Sequence, residues 1–148
     1  MSPPTDTPSA DRELIDLLHR RGHRVTPQRV MINRLLRSRD THLTAEDVHA
    51  SVAAGLPGTS LPTVYATLDL FAELGLVRRV RAGFGPALYD SRGTDHHHLV
   101  CRVCGAVRDV DVDLDLSPAK AAVETLGFTA ERVDLTVDGV CAGCRGTG

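Results

Sequence analysis

Apolar residues recur at helical spacing through the first half of the chain, and cap residues mark where each run starts and stops. Leu14, Ile15, Leu17 and Leu18 share one side of a first helix, which Gly22 would end. Thr26 is placed to cap a second helix with Pro27 at its first position and an apolar face of Val30, Met31, Leu35 and Leu36. Thr44 followed by Asp47 has the form of a capping box, opening a third helix with Val48 and Val52 inward and Gly55 at its end. After the short turn LPGTS, Ser60 caps a fourth helix with Pro62 in its first turn. Its stripe of Val64, Leu68, Phe71 and Leu74 runs until Gly75.

The period then changes. LVRRVRA and PALYD are strand-like runs separated by Gly83, Phe84 and Gly85. Helices followed by a hairpin predict a winged helix-turn-helix over residues 11–90, with the fourth helix as reader and the arginine-bearing hairpin as wing. Residues 1–10, rich in Pro, Ser and Thr, are expected to form a disordered arm. From residue 91 to 148, HHLVC, AVRDVDV and RVDLTV read as strands, and the segment from about Ser117 to Leu126 reads as a helix capped by Ser117 with Pro118 at its start. The expected class is α+β, a winged helix followed by a small α/β domain. At roughly 55 residues the second domain needs reinforcement.

Composition supports a folded protein, since 42% of residues are hydrophobic, but only 3% are aromatic and tryptophan is absent, so the core is aliphatic. No apolar run is long enough for a membrane span and the start MSPPTDTPSA lacks the features of a secretion signal, so a cytoplasmic protein is expected. The net charge of −2 is unevenly spread: Arg12 to Arg39 holds eight arginines against Glu13 and Asp16, whereas Ser91 to Gly148 is net acidic. The basic stretch suits nucleic-acid phosphates, although a solvated helix face would carry the same residues.

Four cysteines form two Cys-x-x-Cys pairs, Cys101 with Cys104 and Cys141 with Cys144. Each pair can make a knuckle presenting two thiolates, and four thiolates around one cation suit structural Zn²⁺ with no open position, one per protomer. A thioredoxin-like redox pair is the competing reading, but it needs a single motif opening a helix, and here both pairs abut strands. Upstream, DHHHLVC places His96 and His98 on one face of an extended strand and His97 on the other. Two imidazoles are half a metal site. His42, Asp90 and Asp109 are further candidates, each with an ordinary alternative as helix-start, turn or solvated strand residue.

The stretches RVTPQR, HLTAEDVHA, SLPTVYATLDLFAELGLV, the pair Tyr89 and Asp90, DHHHLVCRVCGAVRDV and GVCAGC follow one another from about residue 11 to 144. Together they resemble the ferric uptake regulator (Fur) family, most closely its peroxide-sensing, PerR-like branch. The resemblance implies a homodimeric winged-helix transcriptional repressor that binds a palindromic operator in double-stranded DNA and is derepressed by metal loss. It implies a regulatory site of His42, Asp90, His96, His98 and Asp109 holding one Fe²⁺ or Mn²⁺ per protomer, a hard donor set. It also implies that peroxide acts as a signal through Fe²⁺-dependent oxidation of His42 or His96. DNA contacts fall by resemblance on Arg24, Gln28, Arg29, Ser60, Thr63, Tyr65 and Thr67.

Two departures matter. Ala66 stands where many relatives carry arginine or asparagine, and Asp69 adds a negative charge one turn on. No histidine occurs on the late strand, so no third metal site is expected, and His19, His23, His49 and His97 are assigned surface or supporting roles. A metal-dependent hydrolase is the rival from another class, but no nucleophile motif, phosphate loop or paired acid and base supports catalysis, so a non-enzyme is expected. Inside the family, an iron or manganese sensor indifferent to peroxide is the other reading.

Overall fold

The computed structural model describes residues 7–38, 42–80, 85–91 and 96–146, and the chain divides into two compact units. One comprises Met1–Arg81 with Pro86–Gly93, the other Ala82–Gly85 with Thr94–Gly148.

The first unit opens with α1 (Thr7–Arg20), so the helix begins within the segment expected to be an arm. Ala10, Leu14 and Leu18 explain the extension: they repeat every four residues and are all buried, giving the helix a stripe to pack from its first turn. Gly22, at φ +75°, ends it as expected, with the His23 amide donating to the Leu18 carbonyl. Helix α2 (Pro27–Ser38) starts where Thr26 predicts, the Arg29 amide donating to Thr26 Oγ1 at 3.3 Å. Its deepest residues are Ile32, Asn33 and Leu36, with Val30, Met31 and Leu35 only partly buried, so the inward face is rotated from the expected one. The chain then forms a two-residue strand, β1 (Leu43–Thr44), that periodicity does not announce.

Thr44 is also the cap of α3 (Ala45–Gly55). Its hydroxyl accepts from the Asp47 amide at 3.1 Å while the Asp47 carboxylate accepts from the Thr44 amide at 3.0 Å, the reciprocal box expected from sequence. Helix α4 (Leu61–Glu73) is capped by Ser60 and buries Val64, Thr67, Leu68, Leu70 and Phe71. Strands β2 (Arg78–Val80) and β3 (Leu88–Asp90) pair antiparallel, and residues 81–84, which hold the end of the first strand-like run and the start of the expected Gly83, Phe84 and Gly85 turn, lie outside the described residues. The sheet order is β1-β3-β2, antiparallel throughout. Leu14, Leu18, Ile32, Val48, Val64, Leu68, Phe71 and Tyr89 belong to one aliphatic core with two aromatic rings, shared by the four helices and the sheet.

In the second unit β4 (His97–Cys101) is central, antiparallel to β5 (Val107–Val110) and parallel to β6 (Thr136–Gly139). A parallel partner needs a crossover, and the segment carrying α5 (Ser117–Glu124) supplies it. Three details differ from expectation. β5 stops at Val110 because its partner begins there, His97 lying opposite. Ser117 does not cap α5: Leu116 holds that position, and the Asp115 carboxylate accepts from the Ser117 amide at 3.0 Å. The last strand covers Thr136–Gly139 rather than RVDLTV, because the Leu135 amide donates to His97 Nδ1 at 3.0 Å, an imidazole taking the place of a backbone acceptor. Buried apolar residues are sparse in this unit, chiefly Val100 and Cys101, and α5 buries none.

Candidate metal centres and nucleic-acid face

The cysteine cluster is built by two tight turns at the end of neighbouring strands. Cys101 closes β4, and the chain folds back so that the Gly105 amide donates to the Cys101 carbonyl at 2.9 Å, with Gly105 at φ +73°, a conformation open to glycine. Just beyond β6, the Cys144 amide donates to the Cys141 carbonyl at 3.0 Å. The strands hold the turns together: Arg102 N donates to Gly139 O at 2.9 Å, and Cys141 N points at Cys101 Sγ at 3.4 Å.

All four Sγ atoms lie within 4.8 Å of one another. Cys104 and Cys141 sulfurs stand 3.8 Å apart, the edge of a tetrahedron whose centre is about 2.3 Å from each sulfur. That separation is far beyond a disulfide, and none of the four cysteines is disulfide-bonded. Backbone amides of Cys104, Cys141 and Val103 directed at Cys101 pull its thiol down to about 6, so one sulfur is already a thiolate near neutrality. Cys144 is pushed up to about 12 by sharing hydrogen bonds with Cys141 and Cys104. Neither pair opens a helix, so the arrangement fits a structural zinc site and not a redox motif.

The His and Asp candidates fall into two sets. In the first unit β1 pairs with β3, Leu43 opposite Tyr89, which brings His42 beside Asp90, Nε2 to Oδ2 3.6 Å, both nearly buried. The unannounced strand therefore positions this pair. In the second unit His98 lies opposite Asp109 across β4 and β5. His96 Nε2 and His98 Nε2 lie 3.4 Å and 3.6 Å from Asp109 Oδ1, and the two rings meet edge-on with centroids 4.8 Å apart. Each set gathers donors of the type that hold Mn²⁺ or Fe²⁺, and neither completes a coordination sphere by itself. His97, also buried, is occupied by the Leu135 amide, and His49 Nε2 bonds the Thr59 carbonyl at 2.8 Å, so both act as structural ties.

On the proposed reading face, Thr63 and Tyr65 are exposed, and Ser60 is engaged as cap, its hydroxyl accepting from the Thr63 amide. Arg24 is exposed, Gln28 and Arg29 are half-buried, and the Arg29 guanidinium donates to the Arg24 carbonyl. Thr67 departs from expectation. It is 4% exposed and donates to the Thr63 carbonyl at 2.9 Å, so its side chain belongs to the helix packing. Ala66 and Asp69 are exposed. Among the described residues no helix is long and apolar enough to cross a membrane.

Comparison with known proteins agrees with this architecture. The ferric uptake regulator family pattern matches residues 20–138. The chain is 37% identical over 134 residues to the ferric uptake regulation protein of Bacillus subtilis, covering 87% of this chain and 90% of that one. It is 32% identical over 133 residues to the peroxide operon regulator of the same organism, covering 90% and 92%. The structure of a zinc uptake regulator complexed with zinc and DNA superposes with a TM-score of 0.66 at 25% identity, covering 95% of each chain. The family match covers most of the chain and reaches into both units, and on it the chain belongs to the ferric uptake regulator family.

Proposed function

We propose that the protein is a homodimeric, metal-dependent transcriptional repressor that binds a palindromic operator and is released by peroxide. The carrying observation is that the donors come in two partly buried, incomplete sets, His42 with Asp90 in the winged-helix unit and His96, His98 and Asp109 in the other. One Fe²⁺ or Mn²⁺ per protomer shared by both sets would select a single angle between the DNA-binding and dimerisation domains. That angle would fix the spacing of the two reading helices.

Homodimerisation is supported by the apolar surface of the second unit. Leu126 and Phe128 after α5 are 84% and 69% exposed, and Leu99 and Val137 stand side by side on an open sheet face. A depression of about 450 Å³ lies on this unit, lined in part by Leu99, Val137 and Val140. Structural Zn²⁺ at Cys101, Cys104, Cys141 and Cys144 would staple a domain whose own core is thin. Cysteines that form no disulfide and are gathered for a metal fit a reducing cytoplasm. DNA contact is assigned to Arg24, Gln28, Arg29, Ser60, Thr63 and Tyr65.

In this reading the His42 or His96 ring, beside an Fe²⁺ that would catalyse cleavage of the peroxide O–O bond, would lose two electrons to peroxide and gain one of its oxygen atoms, the other leaving as water. An oxidised imidazole is a poor ligand, so the two donor sets would separate and the operator would be freed. Identity to the ferric uptake regulation protein exceeds that to the peroxide operon regulator, 37% against 32%, and this favours a second reading, an iron or manganese sensor indifferent to peroxide.

The test begins with Mn²⁺-loaded protein selecting a duplex from a randomised pool. Fe²⁺- and Mn²⁺-loaded dimers on that duplex are then treated with low peroxide, and the peptides holding His42 and His96 are weighed. Release with iron only, together with the added mass of one oxygen atom, supports the peroxide reading. Unchanged mass and binding would leave the metal sensor, and failure to select any duplex would end the repressor reading.

A further inference from the structure

Glu46, in the first turn of α3, accepts a hydrogen bond from the Tyr65 phenol of α4 at 2.9 Å. Both residues are exposed, on helices that pack together. An acid beside a surface that meets phosphates is electrostatically adverse, so its presence there calls for a compensating role. The chemistry of α4 suggests one. With Thr67 turned into the packing, Ala66 offering only a methyl and Asp69 repelling phosphate, Tyr65 is the largest exposed side chain of this helix and the one suited to meet a base.

We propose that Glu46 is a positioning residue for DNA recognition: its carboxylate fixes the Tyr65 ring in one orientation across the α3–α4 gap, so that the ring meets base edges already ordered. The inference rests on the DNA-binding reading of α4. Holding an aromatic side chain in its bound rotamer removes an ordering cost that association would otherwise incur. The same bond holds the phenol proton, and Tyr65 titrates above the ordinary tyrosine range chiefly because of Glu46.

Charge and tether are separable. Glu46→Gln removes the charge and keeps an acceptor, whereas Glu46→Ala removes both. On the duplex selected by the wild-type Mn²⁺-loaded protein, Glu46→Ala binds about fivefold more weakly than Glu46→Gln. On a scrambled duplex the two bind alike. In a Tyr65→Phe background the difference vanishes, because the ring remains but the donor is gone. Equal affinities of the Ala and Gln variants on the selected duplex, or a difference that survives Tyr65→Phe, overturn the proposal.

A readout without DNA accompanies this. Ultraviolet absorbance follows the two tyrosines, Tyr65→Phe identifies the exposed one, and Glu46→Ala lowers its titration midpoint. An unmoved midpoint sinks the tether while leaving the repressor reading intact, whereas a wild-type protein that selects no duplex sinks both the reading and the role. Should Glu46→Ala fail to fold by circular dichroism, Tyr65→Phe removes the bond from the other side and is expected to lose the same discrimination between duplexes.

Discussion

His98 and Asp109 face each other across β4 and β5, Nε2 3.6 Å from Oδ1, with His96 stacked edge-on beside His98. The pairing register of two strands thus delivers three donors to one point, and a carboxylate at its centre sets the local charge. Asp109→Asn keeps the shape and removes that charge. Affinity for Mn²⁺ is expected to fall about a hundredfold, at the upper end of what losing even an outer partner costs. Titration calorimetry measures it, and an unaltered isotherm removes Asp109 from the ligands.

His42→Ala separates regulation from folding. The imidazole is paired with Asp90 in the winged-helix unit and is remote in sequence from every cysteine. The variant should keep its zinc, measured by elemental analysis, and lose the increase in operator affinity on adding Mn²⁺. Metal-stimulated binding that persists would contradict a role for this pair in switching.

The cysteine cluster gives a pH dependence in reduced, chelator-treated protein. Cys101 is depressed from 9.0 to about 6, so the stability its ionisation contributes is complete above pH 9 and disappears as pH falls through about 6. Cys144 has the opposite sign. Raised from 9.0 to about 12, it contributes fully below pH 9 and loses its effect only at higher pH. Between pH 9 and pH 6 the melting temperature should therefore fall through Cys101, and Cys101→Ser should flatten that slope. A slope unchanged by the substitution refutes the assignment.

Thr44→Ala removes the side-chain half of the capping box at α3. Loss of such a cap costs about 1 kcal/mol. Urea unfolding of the winged-helix unit should report a loss of that size, and an unchanged midpoint would mean that strand pairing alone fixes the start of the helix.

Local chemistry was legible and pairing was not. Thr26, Thr44 and Ser60 announced three helix starts because a cap bonds within its own turn, and the two Cys-x-x-Cys pairs announced a thiolate cluster because each turn is self-contained. Leu43–Thr44 gave no strand signal, since two residues show no period and their partner, β3, lies far along the chain. The early start of α1 was hidden by Pro8 and its polar neighbours, although Ala10 carries the stripe back a turn. RVDLTV had the right composition for a strand, yet pairing with β4 starts only at Thr136: the Leu135 carbonyl still accepts from His98 N, but its amide goes to the His97 imidazole, a side-chain event that no periodicity encodes. Thr67 was assigned to DNA by resemblance, whereas its hydroxyl is satisfied inside the helix.

Thr44 belongs at once to the strand beside His42 and to the cap of α3, and Glu46 follows within the same helical turn. Between the imidazole and the acid that holds the Tyr65 phenol there is no loop, only a strand pair and a helix start, both locked by hydrogen bonds. Such a segment has no slack. A displacement of His42 would therefore pass through only Leu43 and Thr44 before reaching α3, the helix whose Glu46 holds the Tyr65 phenol.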